Sequence, residues 1–163
     1  MSIRARILGF GLAAAAVAVD QAHKAYMLGP FDIEMRGRVP VNAYLDLVMV
    51  WNRGVSYGLL TQEGGAGRWF LIGIGLFGAV LFSIWLWTAN RVLTALSLGL
   101  IVGGALSNVI DRLAYGAVAD FFLFQIGSFE WYVFNLADVW IVAGVAGALL
   151  AWATERRENA TEA

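Results

Sequence analysis

The chain has 163 residues, of which 60% are hydrophobic and 14% charged, against about 25% charged in an ordinary soluble domain. Its mean hydropathy is +0.71 and its formal charge is −1, which excludes a soluble globular surface and any bulk attraction for nucleic acid. It has no cysteine and one histidine, His23, so disulfides, thiolate nucleophiles, cysteine-based metal sites and multi-histidine zinc sites fall away. What remains is a small integral membrane protein, one domain by length. Its chemistry must come from carboxylates, amides, hydroxyls, Lys or Arg, with no metal and no cofactor expected.

The first apolar stretch, residues 7–26, carries one acid, Asp20, near its end. It follows Arg4 and Arg6 and contains Ala14, Ala16 and Ala18, a layout shared with cleavable leaders; the expectation is a retained signal anchor. Residues 27–68 are too long for a mere connector. Within them, VPVNAYLDLVMV (39–50) is β-branched and alternating, which predicts short strands. Gly64, Gly65 and Gly67 predict a flexible approach to the second span.

Residues 69–89 and 92–110 contain no charge, and a helix needs about 20 apolar residues to cross a bilayer. Only Asn90 and Arg91 separate them, so they predict a tight helical hairpin. Residues 111–134 form a second polar-side loop. Its segment DFFLFQIGSFEWYVF (120–134) is aromatic and amphiphilic and is expected to lie along the membrane surface. The fourth span, 135–154, holds Asp138, and 155–163 read as a frayed polar tail. The expected fold is an all-α membrane protein: four transmembrane helices, a small β-containing loop domain and a surface-lying segment.

Four spans put both termini on one side. With the termini inside, basic residues number five inside and six outside, a weak bias. Arg4 and Arg6 precede the first helix, which usually dominates orientation, and Arg91 sits in the short turn; both termini are therefore assigned to the cytoplasm. The unusual polar residues then gather at the opposite surface: Asp20 and Lys24, Asn52 and Arg53, Asn108 to Arg112, and Asn135 to Asp138.

Acids near hydrocarbon are expensive and suggest a site. Asp20, Asp111, Asp120 and Asp138 stand out. Asn108, Asp111 and Arg112 are three and four residues apart, which places them on one helical face. A primary amide at Asn108 can orient a carboxylate, whereas Asp111 reads as an interfacial packing acid. Asn135 and Asp138 repeat the three-residue spacing. If Asp120 and Asp138 converge, they can share one proton and act as base on a water and acid toward a leaving amine; helix packing and proton conduction are the competing readings. Asp20 and Lys24 suit an i,i+4 salt bridge, Gly99-x-x-x-Gly103 followed by Gly104 suits close helix approach, and His23 reads as a surface or headgroup contact. A proton-coupled transporter and a non-catalytic membrane scaffold are the alternative functions.

Four blocks in order resemble bacterial lipoprotein signal peptidase (signal peptidase II). They are Asp20-Gln21-Ala22-His23-Lys24, Asn52-Arg53-Gly54-Val55-Ser56-Tyr57-Gly58, GGALSNVIDRLAYGAVADF (103–121) and Phe134-Asn135-Leu136-Ala137-Asp138. Ser56, Tyr57 and Ser107 depart from the residues usual in that family, and none of the departures removes a catalytic group. The resemblance implies an aspartic endopeptidase of the bacterial inner membrane that cleaves prolipoproteins just before a diacylglyceryl-modified cysteine. It implies a catalytic dyad of Asp120 and Asp138. Asn108 and Asn135 would orient the dyad, Asn52 and Arg112 would hold the substrate backbone, and Asp20, Lys24 and Asp111 would give structural support. It further implies an active site at the periplasmic face, membrane lipid as surroundings, inhibition by the cyclic peptide globomycin, and a monomer.

Overall fold

A computed structural model describes residues 2–54 and 65–161. In chain order its elements are α1 (Ile3–Leu28), α2 (Ile33–Arg36), β1 (Val39–Asn42), β2 (Leu45–Asn52), α3 (Gly65–Thr88), α4 (Val92–Tyr115), β3 (Val118–Ile126), β4 (Phe129–Phe134) and α5 (Leu136–Thr161). Among the described residues three helices are long and apolar enough to cross a membrane, within α3, α4 and α5. The 26-residue α1 carries Arg4, Arg6, Asp20 and Lys24.

Helix α4 is the hub and packs against α1, α3 and α5. Apolar helices gain no hydrophobic driving force from meeting in lipid, so small residues that permit close van der Waals contact decide where they touch. A Cβ on Gly99 would collide with the Gly9 carbonyl of α1, and one on Gly103 would lie 2.7 Å from the Ala13 carbonyl. A Cβ on Gly104 would strike the Ala137 carbonyl of α5. The glycine motif thus serves two seams at once. Helix α3 instead presents Phe70, Ile74, Phe77, Val80 and Ile84 outward, as a lipid-facing helix would.

The four strands form one antiparallel sheet in the order β1-β2-β3-β4. The strands expected in 39–50 are present as β1 and β2. The segment 120–134, for which no strands were expected, is the β3–β4 hairpin, and α4 runs on to Tyr115. Gly116, at φ +80°, ends α4 in the left-handed conformation that favours glycine. Gly127, at φ +60°, turns the hairpin. The first four residues of β3 are buried on both faces, which hides the alternation by which an exposed strand is recognised. Ala119 and Phe121 pack on Met27 and Ile33 from one side, leaving Val118 and Asp120 to point the other way.

Two further expectations change. Gly65 and Gly67 belong to the first turn of α3 and are no flexible approach; Gly64 lies outside the described residues, as do Val55, Ser56, Tyr57 and Gly58. The polar tail continues α5, where Glu155 (3.3 Å) and Glu158 pair with Arg91.

Candidate active site

Asp120 reaches the site from β3. The register pairs it with Val50 and pairs Val118 with Asn52, so the end of β2 delivers Asn52 beside it. Asn52 Nδ2 donates to Asp120 Oδ2 at 3.1 Å, while Asn52 Oδ1 accepts from the Gly54 amide, a local Asx turn that fixes the side chain.

Asp138 arrives on the first turn of α5. Its backbone N–H donates to Asn135 Oδ1 at 3.1 Å, and the Asn135 N–H donates to Asp138 Oδ2 at 3.3 Å. This reciprocal pair is a capping box, with Asn in place of Ser/Thr and Asp in place of Glu. The three-residue spacing therefore starts the helix as well as supplying the site. Asn135 is fully buried, and its Nδ2 donates to Asp120 Oδ1 at 2.6 Å and to Asn108 Oδ1 at 3.2 Å. Asn108 Nδ2 in turn donates to Asp138 Oδ1 at 3.0 Å. Two side-chain amides thus connect the two carboxylates in one chain of hydrogen bonds.

Both acids open onto a single cavity of about 270 Å³, lined also by Asn52, Gly54, Asn108, Arg112, Tyr132 and the apolar Val118, Ile141 and Val142. That far exceeds the ~30 Å³ of one water, so a water and part of a peptide can enter together. Arg112 is held by donation to the Asn108 carbonyl (3.4 Å) and the Gly54 carbonyl (3.3 Å). Burial, and after it the charge of Asp138, push the Asp120 carboxyl up to about 7, against the opposing pull of Asn135, Asn52 and Lys24. A carboxyl at that value keeps its proton available near neutrality.

Asp20, Lys24 and Asp111 do not line this cavity. They form a separate buried cluster between α1 and α4, with Lys24 Nζ 2.7 Å from Asp20 Oδ2 and 2.7 Å from Asp111 Oδ2. The sequence put Asn108, Asp111 and Arg112 on one face. In the structure Asn108 and Arg112 face the cavity, while Ser107 and Asp111, one position earlier in each case, face α1. Gln21 and Ser107, missed as site residues, complete the cluster: Gln21 Nε2 donates to Asp111 Oδ1 (2.8 Å) and Ser107 Oγ (2.9 Å), and Ser107 Oγ donates to Asp20 Oδ2 (2.5 Å). Tyr132 was missed too, and only its aromatic segment hinted at it. The half-buried His23 stacks its ring on Phe122 at 5.3 Å and meets Phe121 edge-on at 5.6 Å.

With this geometry established, the chain can be set beside known proteins. A family model described as signal peptidase (SPase) II matches residues 12–154. The chain is 53% identical over 146 residues to the lipoprotein signal peptidase of Beijerinckia indica subsp. indica, covering 89% of this chain and 87% of that one. It is 48% identical over 160 residues to the lipoprotein signal peptidase of Methylobacterium sp. (strain 4-46), covering 97% of each. A solved structure of a bacterial membrane enzyme shares the fold, with a TM-score of 0.76 at 22% identity over 91% of this chain and 88% of its own. The chain belongs to the signal peptidase II family and is a membrane protease.

Proposed function

We propose that this protein is an aspartic endopeptidase that removes the signal peptide from diacylglyceryl-modified prolipoproteins by cleaving just before the lipidated cysteine, with Asp120 and Asp138 as its dyad. The observation that carries this reading is the meeting of two acids from distant stretches on one small cavity, joined through Asn135 and Asn108.

The ionised member of the dyad takes a proton from a water as the water oxygen bonds to the scissile carbonyl carbon. The protonated member hydrogen-bonds the developing oxyanion. Collapse of the tetrahedral intermediate breaks the C–N bond, and the leaving cysteine nitrogen takes up a proton from the dyad. The pair titrates as a unit and carries one proton in the active form. Asn52 and Arg112, on the cavity wall, hold the substrate backbone. A lipid anchored at the cleavage point supplies binding energy remote from the reacting bond, so a precursor without it loses rate as well as affinity.

In this reading α1 is a fourth span, both termini are cytoplasmic and the site lies at the periplasmic face of the inner membrane. The 26 residues of α1 extend about 39 Å at 1.5 Å per residue. Asp20 and Lys24 are satisfied inside the protein, so neither need face lipid. Arg4, Arg6 and Arg91 lie at the ends of α1 and α4 remote from the dyad, which fits the positive-inside rule. The reading takes the enzyme as a monomer. Globomycin should block the cavity.

The test is cleavage of a lipidated precursor by purified Asp120→Asn and Asp138→Asn enzymes. Each should lose at least about 100-fold in rate, the usual contribution of a positioned acid–base group. Near-normal turnover by either variant sinks the dyad.

A further inference from the structure

The buried cluster of Asp20, Lys24 and Asp111 has a connection to the cavity that its ion pairs alone do not reveal. The free oxygen of Asp20, Oδ1, accepts the backbone N–H of Ala137 at 3.0 Å. Asp111 Oδ2 accepts the backbone N–H of Ala119 at 3.1 Å. Ala137 immediately precedes Asp138, and Ala119 immediately precedes Asp120. Each acid of the cluster therefore grips the peptide unit next to one acid of the cavity, and Lys24 stands between the two grips. All the groups are buried: Asp20, Ser107 and Asp111 are 0% exposed and Lys24 1%.

We propose that Lys24 is a positioning residue for catalysis: by drawing Asp20 and Asp111 onto one ammonium, it fixes the separation of the Ala137 and Ala119 amides and so of the two dyad carboxylates. The inference rests on the dyad reading above. Asp138 sits on a helix and Asp120 on a strand, and nothing covalent within 17 residues sets their distance other than the β3–β4 hairpin. The Asn135 and Asn108 amides, at the start of α5 and on α4, act on the carboxylates themselves and adjust their orientations. The cluster is different because its two acids come from α1 and α4 and hold α5 and β3 from outside. Without the ammonium, two buried carboxylates would face each other across the Lys24 position and repel. Relief of that repulsion spreads the two grips. A displacement of about 1 Å at a reacting centre costs on the order of 100-fold in rate.

Lys24 also bears on the dyad's titration. The charged groups that act on Asp120 are Lys24 from α1, Arg112 from α4 and Asp138 from α5; β2 contributes the uncharged Asn52, and His23 of α1 meets the neighbouring Phe121 and Phe122 rings. Loss of the ammonium removes a positive charge that favours ionised Asp120.

The experiment compares the parent with Lys24→Met, Asp111→Asn and the Lys24→Met/Asp111→Asn double variant on a lipidated precursor, with kcat, KM and the pH profile measured for each. Lys24→Met should lower kcat about tenfold or more, leave KM within about twofold, and move the alkaline limb of the profile to higher pH. The double variant, which removes one of the two repelling charges, should recover part of the lost kcat. Asp111→Asn retains a side-chain acceptor for Ala119 and weakens the pull of Lys24, so it carries the test if Lys24→Met does not accumulate; it should lower kcat at unchanged KM. A folded Lys24→Met enzyme with parental kcat and pH profile overturns the proposal, as does an Asp111→Asn enzyme with both unchanged. A double variant worse than either single variant, with activity tracking only the amount of folded protein, also overturns it. Asp120→Asn and Asp138→Asn assayed alongside separate the two failures: if these are inactive while the Lys24 and Asp111 variants behave as parent, the positioning role alone is lost.

Discussion

Asn52 offers the sharpest test of how the cavity tunes its acids. Its amide donates to Asp120 Oδ2 at 3.1 Å, a bond that favours the ionised carboxylate. Asn52→Ala removes it and should raise the Asp120 pKa from its starting point of about 7. A hydrogen bond to a charged group is worth about 1.5–3 kcal/mol, and about 1.4 kcal/mol corresponds to one pH unit. The Asn135 bond to the other oxygen is shorter, 2.6 Å, and stays in place, so the Asn52 contribution belongs at the lower end, about one pH unit. In a dyad that works with one shared proton, loss of that proton ends activity on the alkaline side, and the limb should follow Asp120. The measurement is kcat/KM for a lipidated precursor from acid to alkaline pH, which reports the free enzyme. The variant's alkaline midpoint should lie about one unit above the parent's. The variant also frees the Gly54 amide, which lowers the rate at every pH, so the midpoint and not the height is the readout. A midpoint that stays in place while the rate falls uniformly would refute the link between Asn52 and the dyad's proton.

Two further outcomes follow from the same geometry. Asp120→Asn should stabilise the protein in alkaline solution. The folded-state pKa is raised above the unfolded value of 3.8 to about 7, so ionisation is easier in the unfolded chain; the penalty is absent below about pH 4, grows through 7 and is full above, where it reaches roughly 4 kcal/mol. Thermal unfolding in detergent should therefore show a larger Tm gain for the variant at pH 8 than at pH 5, and an equal gain at both would contradict the buried-acid argument. Gly104→Ala should impair both stability and cleavage, because its Cβ would strike the Ala137 carbonyl and push away the helix that carries Asp138; overpacking of this kind costs about 1–3 kcal/mol. Gly11→Ala, with nothing within 4 Å of the added methyl, should be neutral or stabilising by up to about 1 kcal/mol, and equal damage from the two would show that the α4–α5 seam has been misjudged.

The membrane-length helices were legible because hydropathy is a local property: α3 and α4 contain the two uncharged runs and the short turn between them. The β3–β4 hairpin was not legible, since Val118 to Phe121 are buried on both faces and lose the two-residue alternation; the Gly127 turn was the remaining signal. Asn135 and Asp138 were read as two residues on one helical face. Their capping box was readable from the Asn-x-x-Asp spacing before an apolar run, and it would have placed the start of α5 at Leu136. Gln21 and Ser107 could not be read. Their significance lies in contacts 86 to 90 residues away in sequence, and a Gln or Ser in an apolar helix carries no local sign of its partner. Asp111 and Arg112 show the limit of spacing arguments: adjacent residues about 100° apart on a helix served two different neighbours, and offsets of three and four did not say which.

The choice of asparagine at three positions around the dyad follows from what the proposed chemistry needs. A shared proton survives only if the surroundings neither ionise both carboxylates nor protonate both. A cation in direct contact lowers a carboxyl pKa by about 1–3 units and would strip the proton from a pair that must keep one. An apolar wall would leave the acids unsatisfied in a buried site. Side-chain amides lie between these extremes: Asn52, Asn135 and Asn108 donate to three of the four dyad oxygens and add no charge. The fourth oxygen, Asp138 Oδ2, is met by the Asn135 backbone N–H, again neutral. The positive charges are kept one step back, with Lys24 behind the strand and helix that carry the acids and Arg112 tied to the Gly54 carbonyl. Neutral donors in contact and cations at a remove hold Asp120 near neutrality while both carboxylates stay fully hydrogen-bonded.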